Sequence, residues 1–146
     1  MKNYKIRKAK KDDLFKIQDI IYACSYIGYK QNKDTEDIRN HYILPNLKKY
    51  LQNSDFFCFT KNKQILATLR LNKKNEICTI YVDPEHHKKG IGTQIIKYLE
   101  KLAKKKNIKK VHLHARTSAI GFYEKLGYKK AKNSKQRDNL MEKILE

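Results

Sequence analysis

The chain has 146 residues, 40% of them hydrophobic, and 34 Lys and Arg against 15 Asp and Glu give it a formal net charge of +19. This length is typical of one domain and suffices for a hydrophobic core, so we predict a single domain over residues 1–146. No apolar run of about 18 residues occurs and the N-terminus lacks the apolar core of a signal peptide, so we expect a cytoplasmic protein that does not span a membrane.

The positive charge is large enough to attract nucleic acid without specificity. The lysines are spread over the whole chain, however, and Lys, Asn, Ile and Tyr are all over-used, as an AT-rich genome produces. We therefore favour compositional bias and keep nucleic-acid binding as the alternative. Cys24, Cys58 and Cys78 lie far apart without C-x-x-C spacing, which predicts neither a disulfide framework nor a metal site.

The first half of the chain predicts one strand and two helical regions. Residues 3–8 form the strand, and apolar residues at helical spacing from Leu14 to Cys24 indicate a helix. A tyrosine-rich connection follows, containing Tyr26 and Tyr29. The second helical region starts near Asp34, is broken at Pro45 and resumes through residue 51.

The second half predicts six more strands and two helices. Residues 56–60 and 64–71 form a hairpin, and residues 76–82 form a third strand beside it. A long amphipathic helix covers residues 91–107, and a short one covers 119–126 and ends at Gly127. Strands are expected at 111–115, 128–131 and 139–145. An antiparallel meander followed by a β-α-β crossover predicts an α/β fold, with a mixed sheet of six to seven strands and helices on both faces.

The stretch Tyr81–Thr93, YVDPEHHKKGIGT, leads from a strand through a basic, glycine-containing loop into a helix. Free backbone amides, the positive end of a helix dipole and side-chain cations would meet there. Such an arrangement favours a ligand that bears phosphate.

Two motifs in this half of the chain resemble the GNAT N-acetyltransferase superfamily. The first is His87-Lys88-Lys89-Gly90-Ile91-Gly92 after Val82-Asp83-Pro84, similar to the family's Q/R-x-x-G-x-G/A signature after a V-x-P turn. The second is A-x-x-F-Y-E-K-L-G-Y over residues 119–128. The resemblance covers nearly the whole chain and implies the acyl-CoA N-acyltransferase fold, with acetyl-CoA as cofactor and no metal.

The resemblance also implies which residues bind the cofactor. The pantetheine arm would pair with the strand at Ile80, Tyr81 and Val82. The phosphates would bind to the loop and the helix start, which comprise His87, Lys88, Lys89, Gly90, Ile91, Gly92 and Thr93. His87 departs from the family, where Gln or Arg is usual. Either its ring contributes a pH-dependent charge to CoA binding, or it faces solvent while backbone amides hold the pyrophosphate.

The same resemblance implies a direct attack of a primary amine on acetyl-CoA in a ternary complex. Tyr123 of the second motif would donate a proton to the CoA thiolate as general acid. Glu76 is a possible general base, although ordered water could take that role. Strict alternation would place Glu76, Cys78, Ile80 and Val82 on one strand face. We reject an acyl-cysteine at Cys78, because buried cysteines are usually inert.

The acceptor is not identified by the sequence, and it could be a small-molecule amine or an amine of a protein. Tyr26, Tyr29 and Asp34 could form a site for a cationic amine, or Asp34 could simply cap the second helix. The roles of His112, His114 and Arg116 stay open, as does the choice between monomer and homodimer. The alternative functions are a nucleic-acid- or ribosome-binding module on the same fold, and a non-catalytic CoA-binding regulator.

Overall fold

The computed structural model describes residues 3–29, 33–132 and 139–146, and it describes no side chain within residues 26–35. Within these residues the order of elements agrees with the prediction. The strands are β1 (Tyr4–Lys8), β2 (Asp55–Lys61), β3 (Gln64–Leu71), β4 (Ile77–Val82), β5 (Lys110–His114), β6 (Lys129–Lys130) and β7 (Leu140–Ile144). The helices are α1 (Leu14–Tyr29), α2 (Lys33–His41), α3 (Leu44–Asn53), α4 (Ile91–Lys105) and α5 (Ile120–Lys125).

The strands form two antiparallel sheets. β1, β2, β3 and β4 pair in chain order, and β5, β7 and β6 form the second sheet. One parallel bridge, between Glu76 and His112, joins the sheets where β4 and β5 begin. The described residues of β4 and β5 form no further bridge, so the two strands separate beyond it. The predicted mixed sheet therefore consists of two antiparallel sheets that meet at a single parallel contact.

Helices cover both faces of the sheets, because strands such as β2 are apolar on both sides. Phe57 and Phe59 pack into a core with α4 and α5, whereas Phe56 and Cys58 pack into a second core with α1 and α3. Since successive strand residues point to opposite faces, the run FFCF supplies both cores at once. This confirms the predicted arrangement of helices on both faces.

Two helix boundaries differ from the prediction. α1 continues to Tyr29, so the tyrosine-rich residues expected in a connection are helical. Tyrosine costs little helix propensity and no proline interrupts this stretch. The second helical region is two helices separated at residues 42–43, and Pro45 lies in the first turn of α3, where its missing N–H breaks no hydrogen bond. No helix in the described part of the chain is long and apolar enough to cross a membrane.

Candidate active site

A cleft of about 1020 Å³ opens where β4 and β5 separate. β4 supplies one wall, and the end of β5 with His114 and Arg116 supplies the other. The loop before α4, the first turn of α4 and the α5 residues Phe122 and Tyr123 close one end. The opposite end reaches Arg70 of β3. The cleft thus brings together the glycine loop and the second sequence motif, which are about thirty residues apart in the chain.

A bulge at Thr79 shapes the β4 wall. Thr79 has a φ of 56° and is 3% exposed, and the register shift places Leu69 of β3 opposite both Thr79 and Ile80. A left-handed conformation at a β-branched residue costs about 1–3 kcal/mol unless the surroundings impose it. Here the backbone carbonyl of Thr79 accepts a 2.6 Å hydrogen bond from Thr68 Oγ1, and its hydroxyl accepts a 2.9 Å bond from Arg70 Nε.

Because of this bulge, the predicted strict alternation of side chains along β4 is wrong. Ile77 packs into the same core as Ile80 and Val82, although Ile77 and Ile80 are three positions apart and strict alternation would place them on opposite faces. The extra residue shifts the side-chain phase by one, so Glu76 and Cys78 do not share a face with Ile80 and Val82. A bulged residue is also left without a ladder partner, which leaves backbone groups of β4 available at the cleft.

The loop before α4 has the backbone of an anion-binding loop. Lys88 and Gly90 both have left-handed φ angles, 62° and 80°. Gly90 is the N-cap of α4, and no side chain caps the helix and no acidic residue lies in its first turn. The first-turn amides of α4 therefore lack a side-chain acceptor, and the helix dipole places partial positive charge there.

The two glycines of the loop are required for different reasons. A Cβ at Gly90 would meet no atom within 4 Å, but the φ of 80° itself disfavours any other residue. A Cβ at Gly92 would lie 3.2 Å from Phe122 Cζ, so Gly92 permits close packing of α4 against α5. The packing of α5 is thus a reason for Gly92 in addition to its place among the predicted phosphate-binding residues.

His87 is not a free side chain. Its Nε2 lies 2.7 Å from the carbonyl oxygen of Val82, to which it must donate because a carbonyl only accepts. The same carbonyl accepts a 3.0 Å bond from the Cys24 thiol. His87 lines the cleft together with Lys88, Gly90, Ile91, Gly92 and Thr93, whereas the Lys89 ammonium lies 3.5 Å from Nδ1 of His86.

Tyr123 lies at the end of the cleft formed by α5. It is 8% exposed and makes edge contacts with the rings of Phe122 and Tyr128. Burial raises the pKa of Tyr123 to about 12, and the charge of Arg116 opposes that shift. The phenol is therefore protonated at neutral pH and can donate a hydrogen bond into the cleft.

Glu76 and His114 face each other across the point where the sheets join. The Glu76 carboxylate accepts a 2.9 Å bond from Asn72 Nδ2, and its other oxygen lies 3.7 Å from His114 Nε2. Both side chains line the cleft. The predicted base candidate thus lies in the same cavity as Tyr123, and His114 is its neighbour on the opposite strand.

The three cysteines are free thiols, two of them buried and Cys78 partly buried at the cleft. Burial raises the pKa of Cys24 and Cys78 to about 11 and that of Cys58 to about 12. A thiolate is the nucleophilic form, so these shifts support our rejection of an acyl-cysteine. In the described part of the chain no three His, Cys, Asp or Glu side chains come together as a metal site would require.

Arg70, His41 and Tyr42 form the end of the cleft that the sequence did not predict. Arg70 is 6% exposed, and its guanidinium lies 4.0 Å from the centroid of the Tyr50 ring. A lone charged residue within the largely apolar strand QILATLRL was the available signal, because a buried arginine needs a partner. Tyr26, Tyr29 and Asp34, predicted at the acceptor site, have side chains that lie outside the described residues.

Comparison with known proteins agrees with this architecture. A family model described as the acetyltransferase (GNAT) domain matches residues 27–142. The chain is 30% identical to the glucosamine 6-phosphate N-acetyltransferase of Schizosaccharomyces pombe over 66% of its own length and 76% of that protein. It is 27% identical to an uncharacterized N-acetyltransferase of Methanocaldococcus jannaschii over 88% of its length, but spans only 62% of that relative.

A solved structure shows the same fold. The PaiA N-acetyltransferase from Thermoplasma acidophilum, crystallised with coenzyme A, superposes with a TM-score of 0.85 and covers 97% of this chain and 98% of that chain. Sequence identity is 24%, so this likeness concerns the fold.

Proposed function

Because the chain belongs to the GNAT acetyltransferase family, we propose that it transfers the acetyl group of acetyl-CoA to a primary amine by direct attack in a ternary complex. The observation that carries this proposal is the cleft between β4 and β5. It brings the amides at the start of α4, the Tyr123 phenol and the Glu76 carboxylate to one cavity. Each has a distinct task in acyl transfer from a thioester to an amine.

The loop and the first turn of α4 fit the phosphates of CoA. Uncapped amides at a helix N-terminus bind phosphate, and Lys88 adds a cation at the cleft. Ile80, Tyr81 and Val82 would hold the pantetheine arm along β4. Thr93 in the first turn can donate its hydroxyl to a phosphate. Acetyl-CoA supplies the activated acetyl group, and this chain's residues orient it and manage the protons.

His87 would support this site through its backbone contact. Its Nε2 holds the Val82 carbonyl at the end of β4, which fixes the path of the chain into the loop. His87 is exposed, as one of the two expectations drawn from the sequence had it, and this contact adds a positioning role for its ring. Lys89 would act only as a more distant cation.

Tyr123 would stabilise the leaving thiolate. A thiolate leaves more easily when a proton donor lies beside it, and such a donor contributes about 10²–10⁴-fold in rate. The pKa of Tyr123, raised by burial to about 12, keeps the phenol protonated over the whole physiological range. The proton is thus present at the oxygen whenever the substrates are bound.

Glu76 would accept the proton that the attacking amine must lose. Its carboxylate keeps one oxygen bonded to Asn72 and the other directed at His114, so a proton can move from the amine to this pair directly or through one water. The His114 imidazole is the second polar group within reach of that proton. Glu76 is therefore the base that the geometry supports best.

An acceptor screen with thiol release as readout tests the proposal. Purified protein and acetyl-CoA are incubated with small amines, amino acids, an amino-sugar pair (glucosamine 6-phosphate and glucosamine) and peptides with free N-termini or lysines. The amino-sugar phosphate is included because a relative is named for it. Acetylated product that depends on both substrates supports the proposal.

Two outcomes point to the alternative functions. CoA-dependent thermal stabilisation with no acetylated product from any amine class would favour a CoA-binding regulator. Binding to RNA that weakens steeply with salt, with neither CoA binding nor turnover, would favour a nucleic-acid-binding module.

A further inference from the structure

The end of the cleft farthest from the glycine loop contains a buried cation. Arg70 lies on β3, paired in register with Cys78 of β4, and its guanidinium reaches the cleft wall with 6% of the residue exposed. Its hydrogen bonds to described residues go to the hydroxyl of Thr79 at 2.9 Å and to the hydroxyl of Ser54 at 3.3 Å. A guanidinium has five N–H donors, so these two bonds leave donors available.

Arg70 forms no ion pair with any described carboxylate. Glu76 also lines this part of the cleft, but its carboxylate is bonded to Asn72 and lies beside His114. A buried charge without an opposite charge is costly, and the ring of Tyr50 and two hydroxyls offset only part of that cost. The position therefore favours an anion that arrives from the cleft.

The neighbours of Arg70 strengthen this preference. The pKa of His41 is lowered by burial and by the positive charge of Arg70, so the imidazole is neutral and available as a polar contact. Its Nε2 lies 3.0 Å from the Tyr50 hydroxyl. Tyr42, 7% exposed, places its hydroxyl 3.4 Å from that of Thr79. His41, although exposed, and the buried Tyr42 thus line the cleft beside the guanidinium.

We propose that the acceptor is a small primary amine that carries an anionic group, a carboxylate or a phosphate, and that Arg70 binds this group. The inference rests on the acetyltransferase function proposed above. Adjacent strands are about 4.8 Å apart, so an anion at β3 and an amine beside Glu76 are within roughly 10 Å of each other. That separation suits a small molecule and disfavours a polyamine, whose second charge would meet Arg70.

The test compares anionic amines with their neutral counterparts in wild type and in Arg70→Gln. The carboxylate arm uses amino acids and their amides, and the phosphate arm uses phosphoethanolamine and ethanolamine together with the amino-sugar pair of the acceptor screen. Glutamine removes the charge but keeps an N–H donor for Thr79. Arg39→Gln is the matched control, because Arg39 is an exposed arginine of α2 that stacks on Tyr22 outside the cleft.

We expect wild type to prefer the anionic member of one arm, and the arm that responds identifies the anion. Charge-assisted hydrogen bonds of this kind correspond to about a tenfold to 100-fold rise in KM for the anionic amine in Arg70→Gln. KM for the neutral amine should stay within about twofold of wild type in both variants. The rise in melting temperature that CoA causes should likewise stay within about twofold of that of wild type. Arg70→Lys keeps the charge and should retain the preference if Arg70→Gln fails to fold.

Equal kcat/KM for anionic and neutral amines in wild type would overturn the inference. It would also be overturned if Arg70→Gln lowered kcat/KM equally for the anionic and the neutral amine while CoA binding stayed intact. If no amine is acetylated, the proposed function fails, and calorimetry of the same pairs with CoA-saturated protein decides the inference separately. Binding of an anionic member alone would then support a binding site at Arg70, and equal binding or none would overturn it.

Discussion

The buried charges of Glu100 and of Arg70 are satisfied in opposite ways. Glu100 of α4, 9% exposed, accepts a 2.8 Å bond from the Tyr128 hydroxyl and pairs with Lys143 at 3.1 Å, and Lys143 also donates to the Leu126 carbonyl at 2.7 Å. We call these three side chains the closed cluster. Arg70 and its neighbour Thr79 instead border the cleft, and Arg70 has no carboxylate partner among the described residues.

The difference separates two kinds of buried polar group. A charge whose partners all come from the protein ties elements together, since the closed cluster connects α4, the end of α5 and β7. A charge that faces a cavity keeps bonding capacity for a ligand. Substitutions of polar side chains in the closed cluster should therefore lower stability and leave turnover unchanged, whereas substitutions of polar side chains at the cleft should lower turnover or binding and leave stability nearly unchanged.

The largest expected effect at the cleft is that of Tyr123→Phe. Loss of the proton donor should lower kcat about 100-fold, with the thermal stabilisation by CoA retained. Thiol release under saturating acetyl-CoA measures it, and Tyr98→Phe on α4 is the control. Since the pKa of Tyr123 is about 12, the phenol keeps its proton up to about pH 10, so wild-type kcat should show no loss from its ionisation between pH 6 and 10. A kcat within about threefold of wild type would remove Tyr123 from the mechanism.

The closed cluster should respond to Tyr128→Phe in stability alone. Glu100 would lose a hydrogen-bond donor at a buried site, which costs about 1–3 kcal/mol. Urea denaturation followed by circular dichroism measures the free energy of unfolding, and Tyr4→Phe, at a 40% exposed tyrosine, is the control. A tenfold fall in kcat/KM with unchanged stability would contradict the comparison.

Glu76→Gln should lower kcat about tenfold at pH 7 while the free energy of unfolding changes little. The deficit should shrink as the pH rises, because an amine that is already deprotonated needs no base. The pH profile of kcat from pH 6.5 to 9.5 measures this. The variants Asn72→Asp and His114→Gln, which alter the two neighbours of Glu76, are measured in the same way. A deficit that is constant over the whole range would indicate that Glu76 positions the acceptor and does not take its proton.

The smallest expected effects are those of substituting two glycines with left-handed backbone conformations, one at the cleft and one beside the closed cluster. Gly90→Ala at the cleft and Gly127→Ala beside Lys143 each place a Cβ at positive φ, 80° and 96°, which costs about 1–2 kcal/mol. Gly127→Ala also brings its Cβ to 3.3 Å from Lys143 Cε, a flexible contact. Both should lower the melting temperature, but only Gly90→Ala should weaken CoA binding in calorimetry. Equal CoA affinity in the two variants would contradict a phosphate site at this loop.

The sequence predicted the region from β4 to α5 well because its signals are local. The strand before the loop, the amphipathic α4 and the glycine that ends α5 each follow from neighbouring residues. Gly127 was expected to end a helix, and its φ of 96° confirms this. The region before β4 was predicted less well: α1 is longer than expected, and no motif indicated that Arg70 would line the cleft.

The sequence by itself, through its resemblance to the GNAT family, predicted the fold and the order of the elements, and it proposed the glycine loop as a phosphate site and Tyr123 and Glu76 as catalytic candidates. Those properties depend on periodicity, backbone conformation and motif spacing within about fifty residues. Only the tertiary structure decided that β4 carries a bulge, that His87 bonds to the Val82 carbonyl and that Arg70 reaches the cleft. These features depend on which strand lies opposite which residue, and that register is fixed by packing across the whole sheet.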